Sequence, residues 1–221
     1  MRKRDLAARV GPGARAGLPL GAAGLLLGVS FGVVAEPVMG HVAPVVMSAV
    51  VFAGAAQFAA TAVLADGGSA AAAIVAGILL NLRFVPMGIS IAPSLRGRAA
   101  ARAVVGQGLV DASWAIAHRG GGRYDVPYML GATLMQYPAW VAGTAIGVLA
   151  GDVIGNPDDL GLDAVFPAFF LALLVNELRD GISVGAALIG AALALVLIPV
   201  APPGVPVLAA CAGAALGLVR R

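Results

Sequence analysis

The chain has 221 residues, of which 60% are hydrophobic and 11% charged, with 31 glycines and a mean hydropathy of +0.96. A water-soluble domain carries about 25% charged residues, so this chain lacks the polar surface needed to cover a soluble globule of its size. It reads as a membrane protein. The formal net charge of +3 does not point to nucleic acid, because much of the basic charge sits at the ends: Arg2, Lys3, Arg4, Arg9 and Arg15 at one, Arg220 and Arg221 at the other. Such placement suits cytoplasmic flanks of membrane spans, and no basic stripe with interleaved aromatics occurs. A single cysteine, Cys211, and two histidines, His41 and His118, exclude an intrachain disulfide and a thiolate or histidine-cluster metal site.

Residues 1–16 form a basic, cytoplasmic amino-terminal segment, and 17–219 read as a single transmembrane transport domain. Crossing a bilayer as a helix takes roughly 20 apolar residues. The runs 17–35, 42–64, 69–92, 126–150, 162–176, 181–199 and 202–219 meet or approach that length, and a weaker run at 103–118 is an eighth candidate. The breaks between them carry Gly, Pro and charged residues, as at Glu36-Pro37, Asp66-Gly67-Gly68 and Arg179-Asp180-Gly181. Backbone groups in lipid must be paired within the segment, so these long Ala/Leu/Gly-rich runs predict helices. The expected class is all-α, a polytopic bundle of seven or eight spans. The first run is longer than a signal-peptide core and is expected to stay in place.

Each span that holds polar groups is a candidate for chemistry, because such groups are costly in lipid unless they face a cavity or a partner. In the second span, Phe52-Ala53-Gly54-Ala55-Ala56-Gln57-Phe58 sets a glycine beside a buried amide and predicts an interrupted helix that exposes backbone groups to a solute. The third span holds Asn81 and Arg83 just before Pro86, which takes a donor from the carbonyl of Leu82. Along 103–118, Gln107, Asp111, Trp114 and His118 recur at steps of four, three and four, which places them on one face of a continuous helix. The fifth span carries Tyr128, Thr133, Gln136, Tyr137, Trp140 and Thr144, a set that reads chiefly as interfacial anchoring. Asp163 opens the sixth span, where it either caps the helix or serves a ligand, and Pro167 follows as a second expected interruption. Asn176, Glu177, Arg179 and Asp180 read as ordinary helix-end residues.

Aligning residue 31 with 146 matches Gly32/Gly147, Val33/Val148, Ala35/Ala150, Val38/Val153 and Gly40/Gly155, an offset of 115 that points to two repeats, about 17–100 and 126–219. If 103–118 crosses the membrane, the repeats are parallel; otherwise they are inverted. With eight spans both termini are cytoplasmic, Arg119 and Arg123 share their side, and Arg96, Arg98 and Arg102 fall on the opposite one. No phosphate-binding loop, His-Glu-x-x-His or Gly-x-Ser-x-Gly is present, so the chain does not read as an enzyme, and no cofactor is expected.

The segments Gly28 to Gly32, Met47-Ser48 through Phe52-Ala53-Gly54 to Gln57-Phe58, Asn81-Leu82-Arg83, Tyr128 to Gly131, Trp140, and Leu160 to Asp163 resemble those of the AzlC-like branched-chain amino acid exporters. The similarity runs from about residue 17 to 200. At Asp111 this chain has Val-Asp-Ala-Ser-Trp where the family often has an Asp-Glu pair followed by an aromatic. The resemblance implies the large subunit of an exporter in a prokaryotic inner membrane, working with a small AzlD-like partner on leucine, isoleucine, valine or similar amino acids. A zwitterion at half depth needs a cationic or N–H partner, an anionic or carbonyl partner and an apolar slot. Phe52, Gly54, Gln57, Asn81, Arg83, Asp111 and Asp163 are the substrate-binding candidates. Two other readings stand beside export by alternating access: a passive channel for another small metabolite and a non-transporting membrane assembly subunit.

Overall fold

A computed structural model describes residues 3–154, 168, 171, 174, 175, 178, 180–201 and 205–210. The sixth expected span, with Asp163, Pro167, Asn176, Glu177 and Arg179, lies largely outside the described residues, as does Cys211. Within them the protein is helical: α1 (Lys3–Met39), α2 (Ala43–Val50), α3 (Gly54–Ala65), α4 (Ala70–Asn81), α5 (Phe84–Ile91), a 3-10 turn (Ala92–Ser94), α6 (Ala99–Gln107), α7 (Asp111–Ala117), α8 (Val126–Ile154), α9 (Gly181–Leu197) and α10 (Val205–Ala210). Two stretches, Arg9–Met39 and Ala70–Ser94, are long and apolar enough to cross a bilayer.

The described residues divide into two compact units. One holds 3–54 and 84–154, that is α1, α2 and α5 to α8; the other holds 55–83 and the residues from 168 onward, with almost all of α3, and α4, α9 and α10. In the second unit, Ala56 of α3 approaches Gly77 of α4, as expected of a helical hairpin turning at 66–69, and Ser69 caps α4 by accepting from the Ala72 N–H at 3.2 Å. Asp180 caps the start of α9 through the Ser183 N–H at 2.7 Å, rather than serving as a solvated end of the sixth span as expected.

The first unit is organised by α1 and α8, its largest interface. Contacts climb both helices together, from Gly13 against Tyr128 through Gly17 against Ala132 to Gly32 against Gly147, so the two helices run parallel. Glycines on both sides let the backbones touch, the packing that membrane helices use in the absence of a hydrophobic drive between them. A Cβ on Gly28 would lie 2.5 Å from the Trp140 carbonyl oxygen and 3.0 Å from the Thr144 nitrogen; one on Gly143 would meet the Leu25 carbonyl oxygen and the Val29 nitrogen. These reciprocal contacts differ by 115 residues, so the offset at which the sequence aligns with itself is also the register of this seam. Helix α1 runs through Pro12, Pro19 and Pro37 to Met39, past the break expected at Glu36-Pro37.

The run 103–118 differs from its expectation. It is not one helix: α6 ends at Gln107, and Val110 is extended (φ −127°, ψ 158°) before α7 begins at Asp111. The four-residue stripe is therefore divided, with Gln107 ending one helix, Asp111 opening the next and His118 lying beyond it. Ser113, fully buried, ties the turn by donating to the carbonyl oxygens of Val110 at 3.1 Å and Gly108 at 3.3 Å. At about 1.5 Å per residue, helices of nine and seven residues are too short to cross a core of about 30 Å singly. The pair instead goes in and comes back. Gly108 reaches Leu130 and Thr133 of α8, and α7 returns so that the Asp125 N–H donates to the Ala117 carbonyl at 2.9 Å and His118 pairs with Tyr124.

Both ends of that excursion lie at the amino end of α8. The Tyr124 N–H donates to Ser94 Oγ at 3.1 Å, and Leu95, Val105, Leu109, Tyr124 and Val126 pack on a core of Ile91, Ala117 and Met129. Arg9 of α1 reaches Asp125 at 3.6 Å, and the Arg119 guanidinium lies 4.4 Å from the Tyr128 ring centre. The stretch leading into α6 and the turn leading into α8 thus share one end of this unit, the end with the amino-terminal arginines. The expected separation of Arg96, Arg98 and Arg102 from Arg119 and Arg123 onto opposite sides is not met, because the helix that would have separated them turns back.

Candidate functional site

The interruption expected in the second apolar run is present. Helix α2 ends at Val50, Val51 closes its last turn by donating to the Met47 carbonyl at 2.8 Å, and α3 starts at Gly54. Phe52 sits between them at φ +45°, the non-glycine residue of positive φ among the described residues. An L-residue in that region costs about 1–2 kcal/mol, so its surroundings must hold it there. They do: the Phe52 ring meets Tyr137 edge-on with centroids 5.0 Å apart, and Gly54 lies against the Trp140 indole, where a Cβ would come within 2.7 Å. The break falls level with Tyr137 and Trp140, close to the midpoint of α8.

Helix α2 lies antiparallel to α8, and the surface between them is polar. The hydroxyls of Ser48 and Thr144, both fully buried, are 2.8 Å apart; the Trp140 Nε1–H donates to Ser48 Oγ at 3.1 Å; and Thr144 Oγ1 donates to the Trp140 carbonyl at 3.0 Å. A little further along, side chains meet the last carbonyls of α2, which no helical N–H can reach. Tyr137 Oη–H donates to the Ala49 carbonyl at 2.8 Å, and Gln107 Nε2–H to the Val50 carbonyl at 3.1 Å. Thr133 Oγ1–H donates to the Gly108 carbonyl at 2.7 Å, which fixes the tip of the α6–α7 excursion beside the break. Gln136, 7% exposed, holds a buried amide nitrogen without a hydrogen-bond partner.

The sequence candidates separate as follows. Phe52, Gly54 and Asp111 belong to the first unit, the first two at the break and Asp111 at the head of α7. Gln57, Asn81 and Arg83 belong to the second. Gln57 is fully buried, and its backbone carbonyl accepts from Thr61 Oγ1 at 3.0 Å. Asn81 ends α4 with a buried, unpartnered Oδ1, and Arg83 donates to the Leu80 carbonyl at 3.3 Å from the turn before α5. Asp163 lies outside the described residues.

Thr133, Trp140 and Thr144 are buried and bonded, so the reading of the fifth span chiefly as interfacial anchoring does not hold for them. Their spacing of seven and four, with Tyr137 four residues after Thr133, lies along one helical face, and that periodicity is the signal that marks them.

Comparison with known proteins places these elements in context. The model of the AzlC protein family matches residues 19–154. The chain is similar to the branched-chain amino acid transport protein AzlC of Bacillus subtilis, 27% identical over 164 residues that make up 72% of this chain and 64% of that protein, so the match spans a little under two thirds of that relative. It is similar to the inner membrane protein YgaZ of Escherichia coli (33% over 174 residues, 71% of this chain and 69% of the relative) and to an uncharacterized membrane protein of Archaeoglobus fulgidus (36% over 169 residues, 75% and 74%). No solved structure matches the chain.

Proposed function

The chain belongs to the AzlC family, and on that premise we propose that it exports branched-chain or related small hydrophobic amino acids by alternating access, as the large subunit beside a small AzlD-like membrane protein. The name of the Bacillus subtilis relative supports the substrate class. The observation that carries the reading is the interrupted helix at 51–53, set opposite the midpoint of α8 and lined by Ser48, Gln107, Thr133, Tyr137, Trp140 and Thr144. Irregular backbone at membrane depth is tolerated where it lines a cavity or is buried in protein, and transporters use such ends to hold the charged groups of small solutes.

In this reading the solute meets Phe52 and Gly54 at the break, and Gln57, Asn81, Arg83, Asp111 and Asp163 are the further candidate substrate-binding residues. The chain passes from one unit to the other at Gly54/Ala55 and Arg83/Phe84, next to the two helix interruptions, so these are the places for the backbone to flex during a cycle. The parallel course of α1 and α8 supports a duplicated, parallel pair of halves even though 103–118 turns back, the case in which an inverted pair was expected. The basic end of the first unit faces the cytoplasm of a prokaryotic cell under the positive-inside bias.

The test is efflux of preloaded labelled valine from vesicles carrying this protein, with and without the small partner. Valine-specific efflux that requires the partner and collapses with the proton gradient is expected of the exporter. Flux insensitive to that gradient marks a passive channel, and unchanged efflux in both preparations rejects transport.

A further inference from the structure

The two carbonyls at the carboxyl end of α2 are met by donors from two other elements, Tyr137 of α8 on Ala49 and Gln107 of α6 on Val50. This end of a helix carries about half a negative charge and attracts cations. Both donors are neutral, both side chains belong to exposed residues, and Val50 is itself 65% exposed. Asp111 follows Gln107 by four residues, at the head of α7, and adds a carboxylate to the same excursion. Gln136, next to Tyr137 on α8, holds a buried amide nitrogen with no partner, a donor that calls for an acceptor such as a substrate's carboxylate.

We infer that the carboxyl end of α2 is the subsite for the substrate's primary ammonium group, and that Tyr137 and Gln107 occupy its carbonyls until the ammonium displaces them. The inference rests on the transport reading for its substrate class. An ammonium carries three donors, enough to replace two neutral ones and to use one further acceptor. Charge-assisted hydrogen bonds are roughly twice as strong as the neutral ones they replace, so the exchange favours the ligand. Phe52, edge-on to Tyr137, places an aromatic surface beside the subsite for the aliphatic side chain. Tyr137 and Gln107 are therefore binding-site residues that hold the empty state together.

The test uses the purified full chain in detergent micelles, with thermal protection by L-valine, by isobutylamine, which keeps the ammonium and the branched side chain, and by isovalerate, which keeps the carboxylate and the side chain. Isobutylamine and valine are expected to protect, and isovalerate is not. Tyr137→Phe frees the Ala49 carbonyl from its competing donor and is expected to tighten amine binding about 2- to 10-fold, the span of one net hydrogen bond. Gln107→Leu acts in the same sense at Val50 and serves if the first variant does not fold. Absence of amine protection, equal protection by isovalerate, or unchanged or weakened amine affinity in whichever variant folds overturns the inference. Failure of valine efflux from vesicles with amine binding intact removes the transport reading alone.

Discussion

The two faces of α8 are built from opposite materials. Toward α1 it presents Gly131, Ala132, Gly143 and Gly147, small residues at which the two backbones come into contact. Toward α2 and the α6–α7 excursion it presents Thr133, Tyr137, Trp140 and Thr144, each hydrogen-bonded across the gap. A Cβ added at these glycines would meet the partner helix's backbone, so the first face supports one arrangement and serves as scaffold. The second is held by individually modest bonds that can be exchanged for a ligand's. One helix thus separates what must stay from what can change.

Enlarging the scaffold should produce the largest effect. Gly32→Val drives two methyl groups toward the Thr144 carbonyl and the Gly147 backbone. Overpacking of a closed core costs about 1–3 kcal/mol, and rigid backbone on the far side puts this site at or above the top of that range. Folded yield in detergent is expected to collapse; wild-type yield and melting would mean that the seam can open.

On the polar face, Thr144→Val leaves Ser48 and Trp140 short of one buried partner and should cost about 1–3 kcal/mol in unfolding experiments, with valine flux reduced further than the fraction of folded protein accounts for. Arg83→Ala is expected to abolish flux with membrane assembly preserved. If the protein instead vanishes from the membrane, Arg83 is a structural ion.

Phe52 sharpens the contrast at the break. Phe52→Ala and Phe52→Gly both remove the edge contact with Tyr137, but only glycine relieves the positive φ, so the glycine variant should be the more stable by about 1 kcal/mol. Equal melting temperatures would show that the backbone relaxes once the ring is gone. The smallest effect is expected at Arg9→Ala, where a 3.6 Å ion pair with Asp125 involves a side chain 62% exposed. Such a pair is worth about 0–1 kcal/mol.

Much of the helical plan is legible locally. The spans around 17–35 and 69–92 and the helix over 126–150 follow from apolar length, and the pairing of Gly54 with Gln57 flags an interruption within two or three residues of where the helix breaks. What escapes sequence reading depends on distant partners. Gln107 and Asp111 share a face only if the helix between them is continuous, and Ser113 with an extended Val110 breaks it. Tyr and Trp are frequent anchors at membrane interfaces, so nothing local distinguishes Trp140 from one. Its hydrogen bond to Ser48, 92 residues away, makes it part of the core. The offset of 115 is visible as a weak repeat, whereas its second meaning as a packing register needs the two helices side by side.

The most direct measurement is cysteine accessibility in a Cys211→Ala background, with single cysteines at Val50 and Gly106 beside the break and at Gly24 on the scaffold. A charged, membrane-impermeant thiol reagent is expected to modify Val50→Cys and Gly106→Cys, with valine slowing both reactions, and to leave Gly24→Cys untouched. Inert cysteines at the break, or labelling there that valine does not alter, would contradict a water-reached solute site at the end of α2.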